Sequence, residues 1–415
     1  MASSSLSASM PTSSLPQDRD RPTRTRPDQP ALIDVSRLIW RWWRGRLPTG
    51  IDRVCLAYVD RFGTRANAVI QWRGRRVVLA PGDSRRLMML LQEGGPRFRQ
   101  RFVALLSRAF PRALTRPRHG ALYLNIGHTG LDDPTLGVWI ARHGLRAVYL
   151  VHDLIPIDAP EFCRAGEADK HLRRVTNALT SASGIIANSR VTVEGLRDFA
   201  ERQHLCCPPM IAAWLAGDTL PAIIAPAPTE LPYFVSVGTI EGRKNHILLL
   251  RLWKRLVERM GRDAPRLVLV GQRGWEADHA LAMLDRCAAI KGVVVELGRC
   301  GDAELAGLLA HARALLMPSF AEGFGMPVIE ALQLGTPVIA SDLPVFREIA
   351  GDIPTYLPSF DGIGWERTIL DFCGASAERM RQVEAMRAYR APDWSSHFAL
   401  VEPWLASLPQ GRAAS

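Results

Sequence analysis

Short apolar runs recur along this 415-residue chain, and longer helix-period segments separate them. That alternation constrains the fold more than any other feature. Runs of this length suit buried strands, and helices between them suit parallel pairing in βαβ units. In the first half the predicted strands are Val54–Val59, Val77–Ala80, Leu122–Ile126, Ala147–Val151 and Gly184–Ala187. In the second half they are Tyr233–Val237, Arg266–Val270, Val293–Leu297, Ala314–Met317, Pro337–Ala340 and Thr355–Leu357, with helices such as His246–Met260 and Asp302–Ala312 between them. A proline-rich stretch, Ala225 to Pro232, separates the two sets and reads as a linker. The expected architecture is α/β: two Rossmann-like domains, 31–225 and 233–390, joined by a linker at 226–232 and facing across a cleft. Ligands then bind beyond the carboxyl ends of the strands. Residues 1–30 hold almost no aliphatics and are expected to be a disordered tail without a secretory signal.

Composition narrows the function classes. Seven scattered cysteines with no C-x-x-C pair indicate neither a disulfide framework nor a zinc site, and a reducing cytoplasm is the simplest compartment. No stretch of 18 apolar residues exists, so no membrane span is expected. The net charge of +11 is concentrated: Ala31–Gly120 holds 19 arginines against five acids. Such asymmetry points to an anionic partner. Within it, Phe98, Phe102, Leu105, Leu106, Ala109 and Phe110 recur at helical spacing among arginines, the pattern of a basic amphipathic helix that lies on anionic membrane. Trp40, Trp42 and Trp43 add interfacial aromatics.

The stretch Pro318–Leu332, PSFAEGFGMPVIEAL, carries the most chemistry. Glu322 and Glu330 stand eight apart around Gly323-Phe324-Gly325 and Pro327, after an apolar run. Strand, glycine turn and helix N-terminus present free backbone N–H groups to an anion. Glu322 at the turn is placed to accept from sugar hydroxyls, and Glu330, read as two turns into the helix, from a ribose diol. With Gly335-Thr336-Pro337-Val338-Ile339-Ala340 following, the chain closely resembles family-4 retaining glycosyltransferases of the GT-B fold, most strongly over Tyr233–Glu348 and back to about Asp34.

That resemblance assigns further residues. The loop Val237-Gly-Thr-Ile-Glu-Gly-Arg-Lys-Asn-His246 resembles the donor-phosphate loop, in which Gly238 allows close approach and Arg243 and Lys244 neutralise a diphosphate. Many members carry Arg where this chain has Thr239, and Arg243 is the candidate replacement. The turn containing Arg299 lies beside the nucleotide base in the family, and Asp302 suits a helix N-cap. Gly50, in Thr49-Gly-Ile-Asp-Arg53, matches the glycine loop of the first domain, with Arg53 assisting. His128, at a strand end, maps onto the family's active-site histidine; His152 and Asp153, in His-Asp-Leu-Ile-Pro, stand on the acceptor side. The family is metal-independent, and no Asp-x-Asp sequence is present to hold a diphosphate through a metal.

The resemblance implies a retaining hexosyltransferase that uses a nucleotide diphosphate sugar as co-substrate, with no resident cofactor. The acceptor is a glycan or polyprenyl-diphosphate-linked saccharide, the work cytoplasmic at the inner membrane face, and 391–415 a helix returning toward the first domain. Bacterial polysaccharide mannosyltransferases carry similar HDLIP and TIExRKN variants, which favours GDP-mannose over UDP-glucose. A GT-B epimerase or phosphorylase is the alternative. A basic nucleic-acid-binding protein explains the charge but not the glutamates.

Overall fold

A computed structural model describes residues 31–46, 48, 50–109, 115–217, 231–298 and 300–409. Two sheets organise the chain. The first contains β1 (Ala31–Asp34), β2 (Ala66–Trp72), β3 (Arg75–Val78), β4 (Leu122–Asn125), β5 (Arg146–Val151), β6 (Gly184–Ala187) and β7 (Met210–Ala212), in the order β3-β2-β1-β4-β5-β6-β7. Among the described residues only the β2–β3 pairing of this sheet is antiparallel. The second contains β8 (Tyr233–Val237), β9 (Arg266–Val270), β10 (Val294–Leu297), β11 (Leu315–Met317), β12 (Val338–Ser341) and β13 (Thr355–Leu357). It is parallel throughout, in the order β10-β9-β8-β11-β12-β13. Helices cover both faces, as parallel sheets require, and the central strands are buried along their length.

The second sheet follows the expected strands to within a residue or so at each end. The first does not. Val54–Val59 lies inside the helix Ile51–Phe62, where Val54, Cys55, Tyr58, Val59 and Phe62 are buried at helical spacing. A short apolar run does not by itself distinguish strand from buried helix. The first strand is instead β1, which pairs with β2 and β4 at the sheet centre, and β2 was not anticipated.

The basic helix Phe98–Ala109 forms as expected but faces inward. Phe98 and Phe102 are 1% and 6% exposed. They stack on each other with centroids 5.7 Å apart, against Trp42 and Trp43 at 6.3 Å each. Their apolar faces fill a gap between helices, so they do not insert into lipid; Phe110 lies outside the described residues. The expected tail 1–30 and linker positions 226–230 also lie outside them.

The last helix, Trp394–Ser407, lies on the first sheet's side of the molecule. Tyr58 Oη and His397 Nε2 are 2.8 Å apart, Arg61 and Arg65 pair with Glu402 at 2.7 and 2.6 Å, and Phe398 packs edge-on against Tyr58. No helix among the described residues is long and apolar enough to cross a membrane.

Candidate active site in the interdomain cleft

The carboxyl ends of β4 and β5 face those of β8 and β11. After β8 the chain leaves through Gly238, whose φ is +138°; a Cβ there would stand 3.1–3.2 Å from the end of the Lys244 side chain. Ile240 N donates to Gln272 O, and a single helical turn then carries Gly242–Lys244. Asn245, with φ 54°, fixes this turn by donating to the carbonyls of Pro318 and Ser359. The loop after β8 is thereby tied to the loop after β11, and Arg243 and Lys244 reach Glu322.

Glu322 is the centre of the resulting cluster. Lys244 Nζ donates to its Oε1 at 2.6 Å and Arg243 Nη1 to its Oε2 at 2.7 Å; Ser319 Oγ donates to Oε1 at 2.7 Å. Glu241 grips the other side of the guanidinium, at 2.7 Å from Nε. Burial works against the Glu322 carboxylate, but Lys244 and Arg243 outweigh it and hold its pKa at about 2. Burial likewise opposes the Arg243 charge, and Glu322 and Glu241 raise its pKa regardless. For Lys244 burial prevails and the value is lowered despite Glu322. Thr239 turns away, its methyl against Gly274.

Glu330 behaves differently. It is the fifth residue of the helix Met326–Gln333, just over one turn in where two were expected. Its side chain is buried and makes no hydrogen bond among the described residues. Burial lifts its pKa to about 7, opposed by Arg53 from the first half. Arg53 also crosses the cleft to Asp302, 3.1 Å away. Asp302 is therefore no N-cap: it is the first residue of its helix, behind Gly301.

Gly323 closes the two halves on each other. A Cβ at this position would come within 2.9–3.0 Å of the Asp153 carboxylate, its Cβ and the His152 carbonyl. Phe324 is buried behind it, and Gly325 starts the helix with φ 109°. Asp153 Oδ1 also accepts from Ile155 N at 3.2 Å, which anchors its turn.

Three imidazoles sit beneath. His128, with φ 61°, directs Nε2 to Leu150 O at 2.7 Å; His152 directs Nε2 to Ile126 O at 3.0 Å, and His171 directs its own to Asp153 O at 3.0 Å. The His128 ring is 5.1 Å from that of His152 and 6.2 Å from that of His171. Burial first, then these neighbours, push the His128 pKa well below its ordinary value, and burial brings His152 to about 4. Both rings are neutral at pH 7. Their Nε2 atoms are committed as donors, which leaves Nδ1 of His128 as an acceptor.

Of the sequence candidates, Arg243, Lys244, Gly238 and Glu322 meet in one cluster, and Gly323 joins it to Asp153. His128 and His152 meet in the imidazole group. Glu330 stands apart, near Arg53. Gly50 caps the helix Ile51–Phe62 with φ 44° and open space at its Cα. Arg299 and Thr49 lie outside the described residues. Sequence reading assigned no role to Glu241, Ser319 or His171. Glu241 and Ser319 stand inside motifs already singled out, whereas His171 sits in an amphipathic helix with nothing to mark it. Among the described residues no group of three His, Cys, Asp or Glu side chains is placed to hold a metal ion.

Two facing Rossmann-like sheets with this cleft define the GT-B class of fold. Over 92% of its length the chain superposes on Anabaena Alr3699/HepE, solved with UDP-glucose, with TM-score 0.61 and 15% identity over that whole chain. Sucrose-phosphate synthase from Thermosynechococcus elongatus matches 92% of the chain and 98% of its own, with TM-score 0.58 and 16% identity. Residues 223–355 match the family model described as glycosyl transferases group 1. Among curated relatives, the serotype-specific mannosyltransferase WbdA of Escherichia coli is 32% identical over 230 residues, 51% of this chain and 28% of its own length. The O-antigen chain mannosyltransferase B of Escherichia coli is 31% identical over 214 residues, 50% of this chain and 56% of that one. The chain thus spans between about a quarter and just over half of these relatives.

Proposed function

We propose that this protein is a retaining glycosyltransferase that moves a hexose from a nucleotide diphosphate sugar to a saccharide acceptor. The observation that carries the reading is the Glu322 clamp. Two cations, buried Lys244 and half-buried Arg243, converge on one carboxylate at a turn that touches the strand ends of the other domain. A diphosphate offers the same cations competing oxygens, and Glu322, once released, is free to accept from sugar hydroxyls. Glu330 is a buried carboxyl with no hydrogen-bond partner among the described residues, which suits a ribose diol. Neutral His128 offers Nδ1 to a hydroxyl of the transferred sugar.

The chemistry is same-face substitution. The bond from the anomeric carbon to the diphosphate oxygen breaks as the acceptor oxygen bonds to that carbon, and the acceptor proton passes to a leaving-group oxygen. Arg243 and Lys244 balance the developing charge with no metal. GDP-mannose is the preferred donor, a preference supported by the mannosyltransferase names of the relatives. The acceptor is a glycan or lipid-linked saccharide of a bacterial surface polysaccharide, reached at the inner membrane face through the exposed arginines of the first domain. Thermal shift with GDP, UDP and their sugars tests the reading, because a ligand that binds only the native state raises the melting temperature. GDP is expected to shift it most. No shift with any nucleotide diphosphate overturns the proposal.

A further inference from the structure

Apart from Arg53, the arginine excess of the first domain is not used by the cleft chemistry, and one part of it is placed beside the cleft. β2 and β3 join through a two-residue turn, Arg73-Gly74, with φ of 48° and 74°. This is the tight turn that matches strand twist, and Asn, Asp or Gly ordinarily fills its first position. An arginine there holds its backbone in the left-handed region at a cost, and such outliers cluster at functional sites. The Arg73 guanidinium lies 5.2 Å from the centroid of the Trp72 ring, and Trp72 is 57% exposed. Arg75 is exposed beside them. Arg76 is turned inward, held by Asp133 at 2.9 Å, so the nearest acid is already taken up.

The hairpin tip stands at the carboxyl end of the first sheet. Gln71, next to Trp72, donates to Thr129 O at 2.9 Å and to Asp34 Oδ2 at 2.6 Å. A Cβ on Gly130 would meet Gln71 Oε1 at 2.3 Å, and one on Gly74 would meet the Asp133 carboxylate at 3.7 Å. The loop that begins at His128 therefore runs along the hairpin. The tip presents an exposed indole and two exposed guanidinium groups with no ion pair among the described residues, on the domain opposite the Arg243–Lys244 pair.

We propose that Trp72, Arg73 and Arg75 form an acceptor subsite for a phosphate-bearing saccharide. The indole takes the apolar face of a sugar ring, and the guanidinium forks take its phosphate oxygens. This rests on the reading of the cleft as a glycosyl-transfer site.

The test compares α-mannose 1-phosphate with methyl α-mannoside as soluble probes in the full chain. Arg73→Gly keeps the turn conformation and removes the guanidinium; Arg75→Gln and Trp72→Ala complete the set. Wild type is expected to bind the phosphorylated probe more tightly. Arg73→Gly and Arg75→Gln should each weaken that probe roughly two- to fivefold, as loss of an exposed charged contact does, and spare the neutral one. Trp72→Ala should weaken both. Equal binding of the two probes by wild type overturns the proposal, as does unchanged binding in the variants. Variants that lose only sedimentation with 3:1 phosphatidylcholine–phosphatidylglycerol vesicles make the tip a bilayer contact and also overturn it. The melting shift with GDP or UDP separates the two readings: its presence with unaltered probe binding sinks the subsite alone, and its absence sinks the glycosyl-transfer reading.

Discussion

Glu322 and Glu330 belong to one turn-and-helix segment, yet their surroundings drive their proton affinities apart. Glu330 has a folded pKa of about 7, above the ordinary 4.5, so the native state holds its proton after the unfolded chain has lost it. A raised carboxyl contributes stability in full below the unfolded value and loses it as pH climbs through the folded one. Glu330→Gln is therefore expected to match wild type near pH 4 and to exceed it at pH 8, by on the order of 3 kcal/mol, in urea titrations. If ribose binds the carboxylate, the wild-type to variant ratio of GDP affinities should also rise through pH 7; a flat ratio removes the ribose contact. Glu322 carries the opposite sign. Its pKa of about 2 means stability is present above the unfolded value and lost as pH falls toward 2. Glu322→Gln leaves Arg243 and Lys244 adjacent without the anion they share, and among the described residues only Arg243 keeps a partner, Glu241. Breaking a buried pair costs about 3–5 kcal/mol, and the partly exposed Arg243 puts this one at the lower end. The variant should melt lower without ligand, show a larger GDP-induced recovery than wild type, and fail to transfer sugar. Wild-type stability in Glu322→Gln would contradict the clamp.

At the scale of elements, the helix Phe98–Ala109 separates what a pattern tells from what packing decides. Periodicity identified its apolar stripe but not the Trp42 and Trp43 side chains that cover it. Phe98→Ala is accordingly expected to destabilise the fold by about 3–5 kcal/mol, as removal of a core phenylalanine does. A loss below 1 kcal/mol by denaturant titration would mean that the stripe is not core. The second sheet was legible almost strand by strand, because Tyr233–Val237, Arg266–Val270 and Thr355–Leu357 are short apolar-rich runs, each directly preceded by a proline. The first sheet hid its centre. β1 is four residues with no flanking signal, β2 mixes Asn67 and Gln71 into its run, and the apolar Val54–Val59 belongs to a helix. The candidate site divides the same way. Residues grouped within one loop, such as Gly238 with Lys244, were readable together. Lys244 with Glu322 spans 78 positions, and Gly323 against Asp153 more than twice that, so only the folded chain brings them into contact.

Across the whole molecule, the two halves meet at Gly323 and Asp153, at Arg53 and Asp302, and at a corner built on Glu348. Glu348, with a side chain 5% exposed, accepts from Arg190 N at 2.8 Å and Val191 N at 3.1 Å, at the N-terminus of a first-domain helix. Trp214 Nε1 donates to the same carboxylate at 2.7 Å, while the Trp214 carbonyl lies 2.9 Å from His397 Nδ1 on the last helix. Glu348→Ala strands three donors and should cost about 1–3 kcal/mol by denaturation, with transfer falling further than GDP binding. An effect under 0.5 kcal/mol would show the corner to be loose. Trp214 follows β7 at one edge of the first sheet, and the Trp72 hairpin lies at the other, six strand spacings or about 29 Å away. Seen from the Glu348 corner, the Trp72 hairpin is at the opposite edge of the first sheet. A turn of about 10° at the Glu348 corner sweeps the Trp72 tip through about 5 Å, so the mechanical gain is greatest at the far edge.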